Sequence, residues 1–360
     1  MKKVTTFIRN TTISAILIGS LYGLNILYND PYIAENVFAK GITRFLSGFF
    51  SLISNLIPIS LAEILIYSFI LVMTILVIRF IVLLFKRKIF NAFTLAHNTV
   101  NFIFVILLIS SITLTVMYNR EESFKHFNLE YVVIDDELAV EAANYYADLL
   151  VELNNEIDRD ENGNVKYPYT IQELGEIINK EYDKLTSDYF AKYNVKVKSF
   201  FTSEVLSYLG ILGIYFPFTS EANVNFNTFP YELPTTIAHE MAHAKGVLRE
   251  NEANFTAYYL CLTSDNEYLK YSGAMEAFMV IYRQLNKEER EEISKKIPDV
   301  VKQEYNNANE HYQKYRGIIN EISSKVNDAY LKSSGVSDGI KSYSRTANEL
   351  ASLYLHLKDN

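Results

Sequence analysis

Ile59 to Phe85 is a run of 27 residues that carries one carboxylate, Glu63, and one guanidinium, Arg79. About 20 consecutive apolar residues suffice to cross the hydrocarbon core of a bilayer as a helix. The run is therefore read as a membrane span, with Arg79 long enough to snorkel towards one face. Two more runs fit the same description. Ile13 to Tyr28 is uncharged and follows Lys2, Lys3 and Arg9. The sequence after it, "NDPYIAENVFAKG", lacks a clear small-x-small cleavage site, so it reads as an uncleaved anchor rather than a signal peptide. Thr99 to Tyr118 holds no charge at all. Between the first two spans, residues 41–58 place apolar residues at helical spacing interrupted by polar ones, which predicts an interfacial helix. The chain thus divides into a membrane region, residues 1–118, with spans at about 13–28, 59–85 and 99–118, and a second domain, residues 119–360.

Basic residues in short flanks set orientation. Lys2, Lys3 and Arg9 precede the first span and Lys86, Arg87 and Lys88 follow the second. Both clusters are expected inside, which puts the N-terminus in the cytoplasm and the domain after Asn119 outside. The formal net charge of −8 is unevenly spread. Residues 1–118 carry nine Lys/Arg against three Asp/Glu, so the excess of acid lies in the second domain. An acidic soluble part argues against nucleic-acid partners, which need basic surface. Cys261 is the only cysteine, so neither an intrachain disulfide nor a Cys-rich metal site can form.

Beyond the spans the texture is that of amphipathic helices. Residues 136–158 set Leu138, Ala142, Tyr145, Leu149 and Leu153 on one stripe. Thr170 and Glu173 have capping-box spacing and open a helix expected to run to about Leu185. "VKVKSF", "GILGIYFPF" and "ANVNFN", between Val195 and Asn227, read as strands. From Pro234 the chain reads helical almost to its end, with breaks near Gly246, at Lys296–Pro298 and at residues 332–342. "DRDENGN", residues 158–164, begins like a calcium loop. Tyr169 stands where the bidentate Glu would be, so it is read as a solvated turn.

"TTIAHEMAHAKGVLRENEANF", Thr235 to Phe255, carries the chemistry. Residues i and i+4 stack on one helix face, so His239 and His243 can reach one metal ion. Imidazole suits Zn²⁺, and a catalytic zinc keeps three protein ligands and an open position. Glu240, one step round the helix, stands where a general base would take a proton from water. A metzincin would have its third His at position 249, which here is Arg249. Glu250, with Asn254 four residues on, supplies a third ligand and a partner that could fix a histidine tautomer. Glu252, two residues on along the same helix, is the alternative ligand.

The HExxH helix followed by E-x-x-A-N resembles the gluzincin peptidases, and E-x-x-A-N is similar to the E-x-x-A-D of the CAAX prenyl proteases. Over nearly the whole chain, "NLIPISLAEILIY", "LGILGIYFPFTSEANVNFN", "HEMAHAKGVLRENEANFTAYYLC" and "YLKSSGVSDGIKSYSR" resemble a bacterial family of membrane-anchored zinc peptidases defined only as a domain of unknown function. The resemblance implies a zincin-like α+β domain with a small sheet behind N-terminal transmembrane helices, mostly α, with Zn²⁺ on His239, His243 and Glu250 and with Glu240 as base. Zincins carry an edge strand that pairs with extended substrate, and "ANVNFN" would place Asn223 and Asn225 at the cleft. Tyr343 and Arg345 are candidates to stabilise an oxyanion. His311 and His356 are expected at the surface, and His97 and His126 flank the third span. The expected activity is hydrolysis of peptide bonds, on a peptide or protein of the cell envelope, at the outer face of the cytoplasmic membrane. The rivals are a non-peptidase zinc amidase and a catalytically silent scaffold of the same fold.

Overall fold

The computed structural model describes residues 2–333 and 343–359. It begins with a helix α1, Lys2–Tyr28, and a π-helical segment, Ile33–Thr43, which runs directly into α2, Arg44–Ser54. Two long helices follow, α3, Leu61–Phe85, and α4, Ile89–Thr113. Among the described residues three helices are long and apolar enough to cross a membrane: Lys2–Tyr28, Leu61–Phe85 and Ile89–Asn119. The first and third start about ten residues earlier than hydropathy suggests. Their polar early turns are used between helices. Asn10 donates to Asn98 at 2.6 Å, and Ser14 to Asn101 at 2.6 Å. Side-chain amides and hydroxyls that bond across helices are a common adhesive where apolar packing alone gives little preference.

These contacts also fix the relative direction of the helices. Phe7 meets Phe93, Asn10 meets Asn98 and Tyr28 meets Ser111, so α1 and α4 run parallel. The turn Lys86–Lys88 joins α3 to α4 at the end where α1 begins. Both basic clusters therefore sit at one end of the three-helix array, and the remaining domain attaches at the other.

Residues 41–58 do not form one continuous interfacial helix. They split between the end of the π-helix, α2 and a turn, and α2 presents its faces in an unusual sense. Ser47, Ser51 and Ser54 are buried while Phe45, Phe49 and Leu52 point outwards. Ser51 donates to the Asn194 carbonyl at 2.8 Å and Arg44 bonds Asp188 at 2.9 Å, so the polar face grips the domain and the apolar face is left to the surroundings. An apolar stripe facing out is stable only where the surroundings are themselves apolar.

The domain is mostly helical. α5, Asp136–Leu153, and α6, Ile171–Lys184, are followed by β1, Val197–Ser199, α7, Ser203–Leu209, β2, Gly213–Phe216, and β3, Glu221–Val224. Then come α8, Leu233–Ala244, α9, Glu250–Leu262, α10, Glu267–Tyr282, α11, Lys287–Ser294, α12, Asp299–Gln313, α13, Ile318–Ser333, and α14, Tyr343–Asp359. The capping box forms as expected, with Thr170 accepting from the Glu173 N–H at 3.2 Å and Glu173 from the Thr170 N–H at 2.8 Å. On α5 the core face is rotated from the anticipated stripe. Ala139, Ala143, Tyr146, Ala147 and Leu150 are buried with Ala142 and Leu153, while Leu138, Tyr145 and Leu149 lie at its margin. Small alanines let α10 approach closely, so the crossing helix rather than the largest side chains chose the face. Residues 158–164 form a turn in which Asp160 accepts from the N–H groups of Asn162 and Asn164, both at 2.9 Å.

The sheet has the order β1-β3-β2, with β1 parallel and β2 antiparallel to β3. The expectation that "ANVNFN" forms the edge strand is corrected here. β3 is the central strand, and Asn223 and Asn225 are fully buried. Asn225 donates to Ser207 at 3.0 Å and to the Ile211 carbonyl at 2.9 Å, closing the β2–α7 connection from behind. Polar residues alternating with apolar ones suggested one solvated face, but here they serve a buried loop. The edges are β1 and β2, and β2 is the one that lines the cleft.

Candidate metal centre

α8 packs across α9 and against β2 and β3, so it is covered on most sides and its polar residues have few places to go. Pro234 stands in the first turn, where its missing N–H costs nothing. The helix ends at Ala244, and Gly246 then takes φ +104°, a conformation that side chains with a Cβ rarely adopt. That residue reverses the chain tightly enough for α9 to begin at Glu250, with six residues between it and His243.

As the first residue of α9, Glu250 points back at α8. Its Oε2 lies 3.3 Å from His239 Nε2 and its Oε1 3.8 Å from His243 Nε2. One donor atom from each of His239, His243 and Glu250 falls within 4.8 Å of the others. Each histidine is also held from behind. His243 Nδ1 donates to the Val247 carbonyl at 2.8 Å, which leaves the Nε2 lone pair facing the centre. His239 is hydrogen-bonded by Asn254, one turn beyond Glu250 on the same face of α9. Two imidazole nitrogens and a carboxylate oxygen, with second-layer partners fixing the rings, are a donor set that fits Zn²⁺.

Glu252 has a different role. It is buried, pairs with Arg249 at 2.6 Å and accepts the Ser123 N–H at 3.2 Å. It faces the connection from α4 and is turned away from the histidines, which corrects its candidacy as a ligand. Helical geometry is the reason: two residues apart on a helix means nearly opposite faces.

Electrostatics divide the cluster. Burial disfavours charge on His239, but the Glu250 hydrogen bond and charge, with Glu240, outweigh it and hold its pKa up at about 9. Burial and the neighbouring His239 press His243 down to about 4. Glu250 is driven upwards by burial but pulled further down by both histidines, to about 2. Without a metal these shifts favour a protonated His239 against an ionised Glu250, beside a neutral His243. Glu240 is pushed up to about 7, chiefly by burial, while the charge of His239 and the Tyr215 N–H act against the shift.

That N–H comes from β2, the edge strand that lines the cleft. Gly213 of the same strand lies so close to Glu240 that a Cβ built there would sit 2.5 Å from Glu240 Cγ. The glycine is required by this approach. The sequence marks "GILGIYF" as a strand, but nothing in it says that the strand lies against the base. The four residues open into a cleft of about 1000 Å³ walled by β2, the preceding loop Leu209–Leu212, α9 and α13. Glu232 and Glu276 line it further along. Glu232 accepts from the hydroxyls of Tyr231 and Tyr312, and burial beside Glu232 holds Glu276 well above the usual carboxylate range.

The other candidates fall elsewhere. Neither Asn223 nor Asn225 lines the cleft. Tyr343 opens α14, but its side chain lies outside the described residues. Arg345, in the first turn of α14, is not among the cleft residues, and its charge acts on Glu349. His311 is half-buried rather than at the surface, 2.8 Å from the Asn227 carbonyl, and His356 is exposed as expected. Arg120, which the sequence offers only as the first charge after the third span, proves central. Its guanidinium is buried, grips Glu35 of the π-helix at 2.9 and 2.7 Å, and donates to the Gly246 carbonyl at 2.8 Å. It also lies 3.6 Å over the Tyr189 ring. The turn that sets the spacing between α8 and α9 is thus tied to the membrane-proximal segment.

No curated protein and no solved structure matches this chain. One family model does, described as "Protein of unknown function (DUF3810)", over residues 38–350. The match begins in the π-helix and takes in α8, α9 and the sheet before ending within α14, so the chain belongs to the DUF3810 family.

Proposed function

We propose that this protein is a membrane-anchored zinc metallopeptidase with a zincin-like catalytic domain outside the cytoplasmic membrane. One observation carries the reading: His239, His243 and Glu250 converge within 4.8 Å while Glu240, alone among the cleft acids, stands directly beside them. His239, His243 and Glu250 would hold the metal, and Asn254 and the Val247 carbonyl would fix the two rings. Zinc so bound supplies a Lewis acid and brings the pKa of water down to about 7. Glu240, beside the three ligands, takes the proton from water and returns it to the nitrogen of the leaving amine. β2 has a free edge facing the cleft, which favours an extended peptide as substrate, since a strand added there would be aligned by main-chain hydrogen bonds. The edge strand also favours the peptidase over a zinc amidase acting on small envelope components.

Glu240→Gln keeps the shape and removes the proton acceptor. The purified variant is expected to retain zinc while peptide hydrolysis falls by about 10²–10⁴-fold. Undiminished hydrolysis would end the mechanism, and a wild-type protein that takes up no zinc would end the reading.

A further inference from the structure

The segment between β1 and β2 packs against the side of a membrane span. Phe200 and Leu206 are buried together with Ala62 of α3, and Ile66 of α3 packs on the same cluster beside Ile214 and Phe216 of β2. Hydrogen bonds pin the contact. Glu63 accepts from the Phe201 N–H at 2.8 Å and the Thr202 N–H at 2.9 Å, and Tyr67 donates to Thr202 Oγ1 at 2.9 Å. Tyr67 lies six residues into α3, about 9 Å along the axis from its first residue at 1.5 Å per residue. α7 therefore sits alongside the outer turns of a span and not above them.

The free face of α7 matches that location. Phe201, in the turn that leads into α7, and Val205, on it, are 81% and 52% exposed, and Tyr208, with one edge against Tyr315, is 45% exposed. Across the start of α3, the outward face of α2 carries Phe45 and Leu56 beyond its end, 73% and 80% exposed. Two apolar faces thus flank the point where α3 leaves the domain.

We propose that the Phe201–Val205–Tyr208 face is a second membrane contact, seated in the interfacial layer of the bilayer that α3 crosses. Aromatic residues favour that layer, and an apolar face continuous with a span has lipid as its nearest neighbour. The chain leaves α7 directly into Leu209–Leu212, which wall the cleft, so the cleft opens at the bilayer surface. Resting on the peptidase reading, this makes the substrate a polypeptide tethered to the same membrane and cut close to it.

The chain contains no tryptophan, so one introduced residue reports alone. Phe201→Trp and, as a second site, Val205→Trp are placed in the full-length protein in vesicles of phosphatidylcholine brominated near the headgroup end of its chains. Glu291→Trp, on α11, is the control. The two α7 positions are expected to emit at shorter wavelength and to be quenched several-fold more than the control. Quenching of both no greater than that of Glu291→Trp would overturn the membrane contact, whatever the activity. The substrate class is tested separately. Phe201→Glu combined with Val205→Glu should slow cleavage of a lipid-anchored peptide at least tenfold and leave the same peptide free in solution unaffected. Equal rates on the anchored peptide would overturn it. Absence of cleavage by the wild type would fall on the peptidase reading and leave the quenching result standing.

Discussion

Glu250 and Glu252 differ by two positions and have opposite fates. Glu250 meets both histidines, while Glu252 is buried against Arg249 and the Ser123 N–H. Glu250→Ala is expected to purify with little zinc, because it removes the carboxylate that meets both histidines. Glu252→Ala should keep most of its zinc and lose about 2–3 kcal/mol of stability, because a buried guanidinium and an amide lose their acceptor. Metal content and thermal unfolding of the two variants decide this, and the reverse pattern would move the third ligand. The pH dependence of zinc uptake follows from the same cluster. His239 of the metal-free protein keeps its proton up to about pH 9, and that proton must leave when the ring becomes a ligand. Apparent zinc affinity should therefore rise about tenfold per pH unit between roughly pH 7 and 9, and flatten above, with about one proton released per zinc. Calorimetry in buffers of different ionisation enthalpy measures that proton directly. The convergence of His239 with His243 was legible in the sequence because i, i+4 spacing fixes a face on any helix, and Glu250 joins them from α9. The partners were not: the Val247 carbonyl and the Tyr215 N–H are backbone groups, and no side chain advertises them.

At the scale of elements, the site depends on two close approaches at glycine. A Cβ at Gly246 would fall 2.6 Å from Arg120 Nη1, at a φ of +104° that already disfavours side chains. A Cβ at Gly213 would fall 2.5 Å from Glu240 Cγ. Gly213→Ala is expected to bind zinc normally, since β2 supplies no ligand, and to lower turnover by about tenfold or more as the base is displaced from its position. A loss of zinc from this variant would mean that β2 shapes the ligand set as well. The strands show where reading a sequence stops. All three were legible as strands from their β-branched and aromatic residues, but their order was not. "ANVNFN" has the alternation of an edge strand and sits in the centre, because pairing partners are chosen by residues 5–25 positions away. The α5 stripe fails for a related reason: which face of a helix is buried depends on the helix that crosses it.

For the whole molecule, the parallel packing of α1 and α4 puts both basic clusters at the end of the array opposite the domain. If basic flanks stay inside, the domain lies outside. A reporter enzyme that works only outside the cytoplasm, fused after residue 130, should be active, and activity of a cytoplasmic reporter at that point would invert the arrangement. The membrane region and the domain share a buried ion pair and buried hydrogen bonds, which tie the site to its anchor. Arg120 grips Glu35 and the Gly246 carbonyl, and Lys198 pairs with Glu221, whose carboxylate also accepts the Leu61 and Ala62 N–H groups at 3.2 and 2.8 Å. Glu221 thereby satisfies the open donors at the start of α3 where no water could.

Hydropathy and local periodicity by themselves determined three apolar helices, a mostly helical remainder and an HExxH helix followed by a carboxylate at the right phase. Each of these is set by the transfer of side chains out of water or by the 3.6-residue turn, so neighbours in sequence suffice to specify it. Only the tertiary structure decided which strand faces the base, that Glu252 braces the linker while Glu250 faces the histidines, and that Glu35, Glu63 and Glu221 bolt the membrane helices to the domain. Those outcomes depend on where a buried charge finds its partner, and the partners lie 85, 138 and 159 residues away. Desolvation makes such pairing obligatory once the fold brings the groups together, and nothing in the local sequence says which group that will be.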